Sequence, residues 1–158
     1  MKKLFSLCLT LLLLFSLTGC KHWTGEELYQ WAENWSASLG QSQLTADADL
    51  IGTRTPGTDD YTGSYQTTCS HVTGRDVIFG GGSLHTRTLT LSGSVHAQNG
   101  QATIRIRQNE DVTLLSPDEA GNFSTTLYLE NGGNYIMVIY EDFSGTITLT
   151  AEDPSEVI

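Results

Sequence analysis

From residue 61 to residue 151 the chain alternates apolar and polar side chains over short runs broken by Gly, Asn, Asp and Ser. This is the period-two pattern of strands with one buried face. Leu89, Leu91, Val95 and Ala97 share one parity, and Ala102, Ile104 and Ile106 continue it beyond Asn99-Gly100. That dipeptide predicts a type I′ hairpin in which Ala97 faces Ala102 and Val95 faces Ile104. Its outer face would set His96 opposite Thr103 and Ser94 opposite Arg105. Gly93 interrupts the buried row and predicts a bulge or a large neighbour crossing over it.

A second hairpin is expected between residues 123–130 and 134–140, around Asn131-Gly132-Gly133, with Leu127 and Leu129 in parity with Ile136, Val138 and Tyr140. Tyr135, Met137 and Ile139 make the other parity apolar too, so this strand should be central and covered on both sides. Residues 146–151 supply a last strand through Ile147 and Leu149. With 61–68, 76–79 and 112–115 the count reaches seven or eight, which predicts a mainly β protein, an antiparallel β-sandwich.

Ahead of this domain the period changes. Thr24-Gly25-Glu26-Glu27 has the spacing of a capping box, and Leu28, Trp31, Ala32, Trp35 and Leu39 recur at helical steps until Gly40. One short amphipathic helix is expected, containing or adjoining all three tryptophans, Trp23, Trp31 and Trp35. It could lie on a bilayer or pack on the domain that follows; its acidic polar face favours packing. Residues 41–60, rich in Thr, Ser, Gly and Asp apart from a brief apolar patch between Leu44 and Ile51, read as a linker with a turn at Thr55-Pro56-Gly57. Residues 152–158 read as an acidic tail.

The first 19 residues have their own logic. Lys2 and Lys3 precede an apolar run from Leu4 to Leu17 that closes on small residues, the three-part layout of an export signal. At about 14 residues the run falls short of the roughly 20 needed to cross a bilayer core. Removing residues 1–19 leaves 139 residues, enough for one domain with a core. The loss of Lys2 and Lys3 leaves 6 basic against 18 acidic side chains, a formal net charge of −12. That balance excludes nucleic acid as a partner and electrostatic adhesion to anionic lipid. Cys69 alone remains beside Cys20, so no disulfide forms within the domain, and its strand-like surroundings predict a packing role.

Leu17-Thr18-Gly19-Cys20 resembles the lipobox of bacterial lipoproteins at every position. The resemblance implies cleavage between Gly19 and Cys20, a diacylglyceryl group on Cys20 Sγ, and localisation at the cell membrane, lipid-anchored on the extracytoplasmic face. Residues 61–151, with Tyr61-x-Gly63-x-Tyr65, Ile78-Phe79-Gly80-Gly81-Gly82 and Gly133-Asn134-Tyr135-Ile136, look like a recurrent β domain of small Gram-positive lipoproteins. That likeness implies the fold and no activity.

Candidate chemistry is sparse. Gly80-Gly81-Gly82 lacks the Lys-Ser or Lys-Thr of a phosphate loop and reads as a turn. His71, His85 and His96 lack ligand spacing for zinc. Asp59-Asp60, Asp118-Glu119 and Glu141-Asp142 could offer loop oxygens to Ca²⁺, though Asp is a standard turn former. No Gly-x-Ser-x-Gly or paired catalytic carboxylates are apparent, so no cofactor and no enzymatic activity are expected. The expected role is a non-enzymatic, membrane-anchored binding or accessory domain with a protein or glycan partner. The alternative is a carbohydrate-binding module in which Tyr61, Tyr65, Tyr128 and Tyr135 offer stacking faces. Exposure of Tyr128 and Tyr135 discriminates the two.

Overall fold

The computed structural model describes residues 24–41 and 43–155. The expected export signal, the lipobox-like stretch with Cys20, Trp23 and the end of the expected acidic tail lie outside the described residues. The helix α1 (Gly25–Gln41) begins in one compact unit, which ends at Ala32, and the sheet lies in a second, residues 33–158. The helix opens on the expected capping box: Glu27 N–H donates to Thr24 Oγ1 (3.3 Å) and Thr24 N–H to Glu27 Oε2 (3.0 Å). Leu28, Trp31 and Trp35 are 55%, 53% and 59% exposed. Among the described residues no helix is long and apolar enough to cross a membrane.

The rest is mainly β: one antiparallel ladder of six strands preceded by the short helix. The strands are β1 (Thr53–Pro56), β2 (Gly63–Ser83), β3 (Arg87–Gln108), β4 (Asp111–Leu115), β5 (Asn122–Leu129) and β6 (Gly132–Glu152). Their order is β1-β2-β6-β3-β4, with β5 also paired to β3. β2, β3 and β6 run for 21, 22 and 21 residues. Laid flat, each would reach about 70 Å, far beyond a domain of this size, so they bend. The bends lie side by side. Register shifts fall between Cys69 and Gly74 in β2 and between Ala97 and Gln101 in β3, and His71, Gly100 and Asp142 have φ of 52°, 68° and 47°.

Bending folds the ladder over on itself into a β-sandwich. The first layer comprises β1, β5 and the segments 63–69 of β2, 145–152 of β6 and 87–97 of β3; the second comprises 72–83, 132–141 and 101–108 of the same strands with β4. Between them lies one core, with Tyr65, Leu89, Leu91 and Leu149 from the first layer and Ile78, Ile104, Ile106 and Val138 from the second. All eight are 1% exposed or less, and each aliphatic side chain so covered contributes on the order of 1.5–3 kcal/mol.

The seven or eight alternating segments are thus realised as six strands, because three of them run through both layers. Asn99-Gly100 is not a hairpin turn: β3 continues through it, pairing Ala97 with Gly145 and Ala102 with Tyr140 on β6. The same positive φ that would serve a type I′ turn here serves a bulge. The second expected hairpin is also absent, since β5 pairs with β3 and the glycines after Glu130 carry the chain from one layer to the other. Gly80-Gly81-Gly82 is strand rather than turn, opposite Tyr135, Asn134 and Gly133. At Gly93 a Cβ would meet Thr148 O at 2.0 Å and Phe123 Cζ at 2.8 Å, so the large neighbour expected there is Phe123.

Residues 44–56, within the stretch that reads as a linker, are fastened to the sandwich. Thr45 exchanges two hydrogen bonds with Val77, its N–H donating to the carbonyl (3.0 Å) and its Oγ1 accepting the amide (2.9 Å). Arg54 donates to Asp47 Oδ1 (2.5 Å), Thr45 O (3.1 Å) and Ile78 O (2.8 Å). Leu44 packs on Val77, Tyr135 and Met137, which covers part of the second layer's outer face and makes the middle of β6 buried on both sides.

Candidate functional site

The outer face of the first layer stays open, and period two decides what it carries. Leu127 and Leu129 of β5 point into the core, so Ser124, Thr126 and Tyr128 point out; Ile147, Leu149 and Ala151 of β6 leave Thr146, Thr148 and Thr150 outside. Pairing then aligns hydroxyls in rows. One row runs Thr55, Ser64, Thr150, Ser92, Ser124 across five strands. The next runs Thr53, Gln66, Thr148, Ser94, and the hydroxyls of Ser94 and Thr148 lie 3.0 Å apart.

At one end of this face stands Tyr128, 74% exposed and opposite Thr88. It borders a cleft of about 620 Å³ lined also by Thr86, Arg87, Glu130, Asp153 and Ser155. Arg87 is fixed from below. Its Nη1 donates to Asp59 Oδ2 (2.5 Å), and its guanidinium lies 4.0 Å from the centre of the Tyr61 ring, a cation–π contact. Burial alone would raise the Asp59 carboxyl, but the hydrogen bonds from Arg87 and the Tyr61 amide outweigh it and hold it below 3.8. Ser155 donates its hydroxyl (2.6 Å) and amide (2.8 Å) to Asp153 Oδ1 and lowers that carboxyl too. The cleft thus sets an open aromatic face beside hydroxyls, one anchored cation and the Asp153 carboxylate that Ser155 holds low.

The four candidate tyrosines do not form one site. Tyr61, Tyr65 and Tyr135 are 6%, 1% and 3% exposed, so the expectation that they present stacking faces is corrected by burial. Tyr61 donates to Gly81 O (2.6 Å) with its ring over that glycine, and Tyr135 lies under Arg107 (4.5 Å) beside Leu44. Tyr65 donates to Asp76 Oδ2, and its oxygen lies 2.6 Å from the Tyr140 hydroxyl. Asp76 is wholly buried and also takes the amides of Ile51 (3.0 Å) and Gly52 (3.2 Å). Sequence reasoning passed over Asp76, although an acid opening the apolar run Val77-Ile78-Phe79 was a signal. It also passed over Glu130, two residues beyond Tyr128 in the chain, and over Arg87 and Asp153, which the pairing of β3 with β5 and with β6 brings to Tyr128.

The other candidates serve the fold. Cys69 packs against the core with Sγ 3.9 Å from Phe143 O. Asp118 Oδ1 accepts the amides of Ala120 and Asn122, closing a turn. Asp142 holds His71 Nδ1 (2.9 Å) and Asn99 Nδ2 (3.1 Å) at the bend, where Ser144 Oγ accepts the His71 backbone amide (2.8 Å). Among the described residues no group of three or more His, Cys, Asp or Glu is placed to hold a metal ion.

No protein-family model matches the chain, and no curated protein matches it significantly. Among solved structures it is similar to a carbohydrate-binding module of Cellvibrio mixtus lichenase 5A in complex with cellotriose, with a TM-score of 0.37 and 11% identity over 75% of this chain and 94% of that one. A superposition that loose sets no residue of this chain against a sugar contact, and the site rests on its own geometry.

Proposed function

We propose that this chain is a binding protein without turnover, held to the extracytoplasmic face of a membrane by lipid on Cys20, whose sandwich takes a glycan at the Tyr128 cleft. The observation that carries the reading is Tyr128 itself: a ring 74% exposed, beside a cleft lined by the hydroxyls of Thr86, Thr88 and Ser155, the charged groups of Arg87, Glu130 and Asp153, and Leu129 and Pro154. Sugars offer an apolar C–H face and a rim of hydroxyls. An exposed phenol ring matches the first, and carboxylates with an anchored guanidinium match the second.

The test is affinity electrophoresis of the full chain in gels containing neutral polysaccharides, comparing wild type with Tyr128→Ala. Retardation by at least one glycan, weakened about tenfold or more by losing the ring, is the expected result, since covering an aromatic side chain is worth about 1.5–3 kcal/mol. Equal retardation of both proteins, or none in any glycan, would refute the reading.

A further inference from the structure

We infer that the open face of the first layer extends the Tyr128 cleft into a platform for an internal stretch of a neutral, extended polysaccharide. This rests on the Tyr128 reading and adds the ligand's charge and length. The first support is charge. The chain carries 18 acidic residues, yet the two hydroxyl rows that cross this face contain none, and Glu152 opposite Thr90 stands at its margin. Three of the five arginines, Arg75, Arg105 and Arg107, pair with Ile139, Met137 and Tyr135 in the second layer, Arg54 turns to Asp47 and the Ile78 carbonyl, and Arg87 stands only at the Tyr128 end, held by Asp59. An exposed sheet face of a soluble domain ordinarily carries interspersed charges. A neutral face matches a partner without charge, because a charged one would select opposite charge here.

The second support is continuity. The Tyr128 cleft shares Asp153 with a cleft of about 350 Å³ lined by Thr55, Ser64 and Thr150 with Glu152 at its edge, and a third, of about 470 Å³, follows along Thr53, Gln66 and Thr148. Five strands set about 4.8 Å apart give a path of roughly 20 Å, several pyranose rings long. Hydroxyls on this path can donate to or accept from sugar hydroxyls in either sense, so they serve a repeating chain better than a single terminal sugar. The third support is asymmetry: Leu44 closes part of the opposite outer face, whereas the hydroxyl rows remain open or half-open.

The experiment is a calorimetric titration of the full chain in detergent with cello-, xylo- and manno-oligosaccharides from disaccharide to hexasaccharide, and with hyaluronate as an anionic control. In wild type one series should bind, with affinity rising about tenfold or more with length. Thr148→Glu, exposed and outside the Tyr128 cleft, should abolish that rise and leave the disaccharide unaffected. If the hexasaccharide binds no better than the disaccharide, or Thr148→Glu changes nothing, the platform is wrong while the Tyr128 site stands. Preference for hyaluronate would overturn the neutral ligand. Absence of all binding would overturn both readings.

Discussion

The hydroxyls of Tyr65 and Tyr140 lie 2.6 Å apart, although Tyr65 pairs with Leu149, nine positions further along β6. On a flat strand nine residues span about 30 Å, so this one contact records how far the ladder has folded over. Its direction follows from proton supply. Tyr65 gives its only proton to Asp76, so Tyr140 donates to Tyr65. Tyr65→Phe therefore strips the buried carboxylate of a donor and should cost about 1.5–3 kcal/mol, whereas Tyr140→Phe removes a neutral bond and should cost about 1 kcal/mol. Denaturant midpoints would show the ranking; equal losses would break the proton assignment.

The same carboxylate fastens the segment ahead of β1. Because Asp76 accepts the amides of Ile51 and Gly52, those two amides should exchange with solvent as slowly as the core strands do. Asp76→Ala should release them well before global unfolding. Hydrogen exchange read by NMR checks it; fast exchange at Ile51 in wild type would show the segment to be undocked.

Alkali should unfold the domain through its tyrosines. Burial raises Tyr61 from 10.0 to about 12 against the opposing charge of Arg87, and burial likewise raises Tyr65 and Tyr140. A phenol whose folded value is raised contributes stability that is full below pH 10 and lost as pH climbs through 10 towards 12. Asp59, lowered in the fold, works in the other direction: its contribution holds above pH 3.8 and fades below it. Thermal midpoints across pH should therefore fall at both extremes, with tyrosinate absorbance from the buried rings appearing only together with unfolding.

Helix α1 offers a separate readout. Trp31 and Trp35 are more than half exposed, and no tryptophan lies in the sandwich. Emission from Trp31 and Trp35, read in a Trp23→Phe background, should be that of wetted indole and be quenched readily by acrylamide, while Tyr65→Phe should leave it unchanged.

Lipidation is tested at the chain's other end. Cys20→Ala should abolish incorporation of a labelled fatty acid and leave the signal uncleaved; continued labelling would place the anchor elsewhere.

Parity was legible in the sequence, and partner choice was not. The buried rows through Leu89, Leu91, Ile104 and Ile106 follow from period two, and the double-sided burial of β6 from both of its parities being apolar. Asn99-Gly100 misled because a positive φ serves a two-residue turn and a mid-strand bulge equally, and only the long ladder of β6 decides between them. The tyrosines divided for a similar reason. Tyr128 and Tyr135 share the outward parity, but Leu44, from a stretch without strand periodicity, lands on Tyr135 and leaves Tyr128 open. Asp76 went unread because two of its donors are backbone amides, which leave no trace in side-chain pattern, and the third, Tyr65, reaches it only across the folded-over ladder.

The central claim is that Tyr128 marks a glycan site, and a map of backbone amide shifts during titration with a retained neutral oligosaccharide tests it most directly. The account predicts shifts confined to Tyr128, Thr88, Glu130 and Asp153 and spreading along the hydroxyl rows, all reduced in Tyr128→Ala. Shifts centred instead on Arg75, Arg105 and Arg107, or no shifts in any residue, would contradict it.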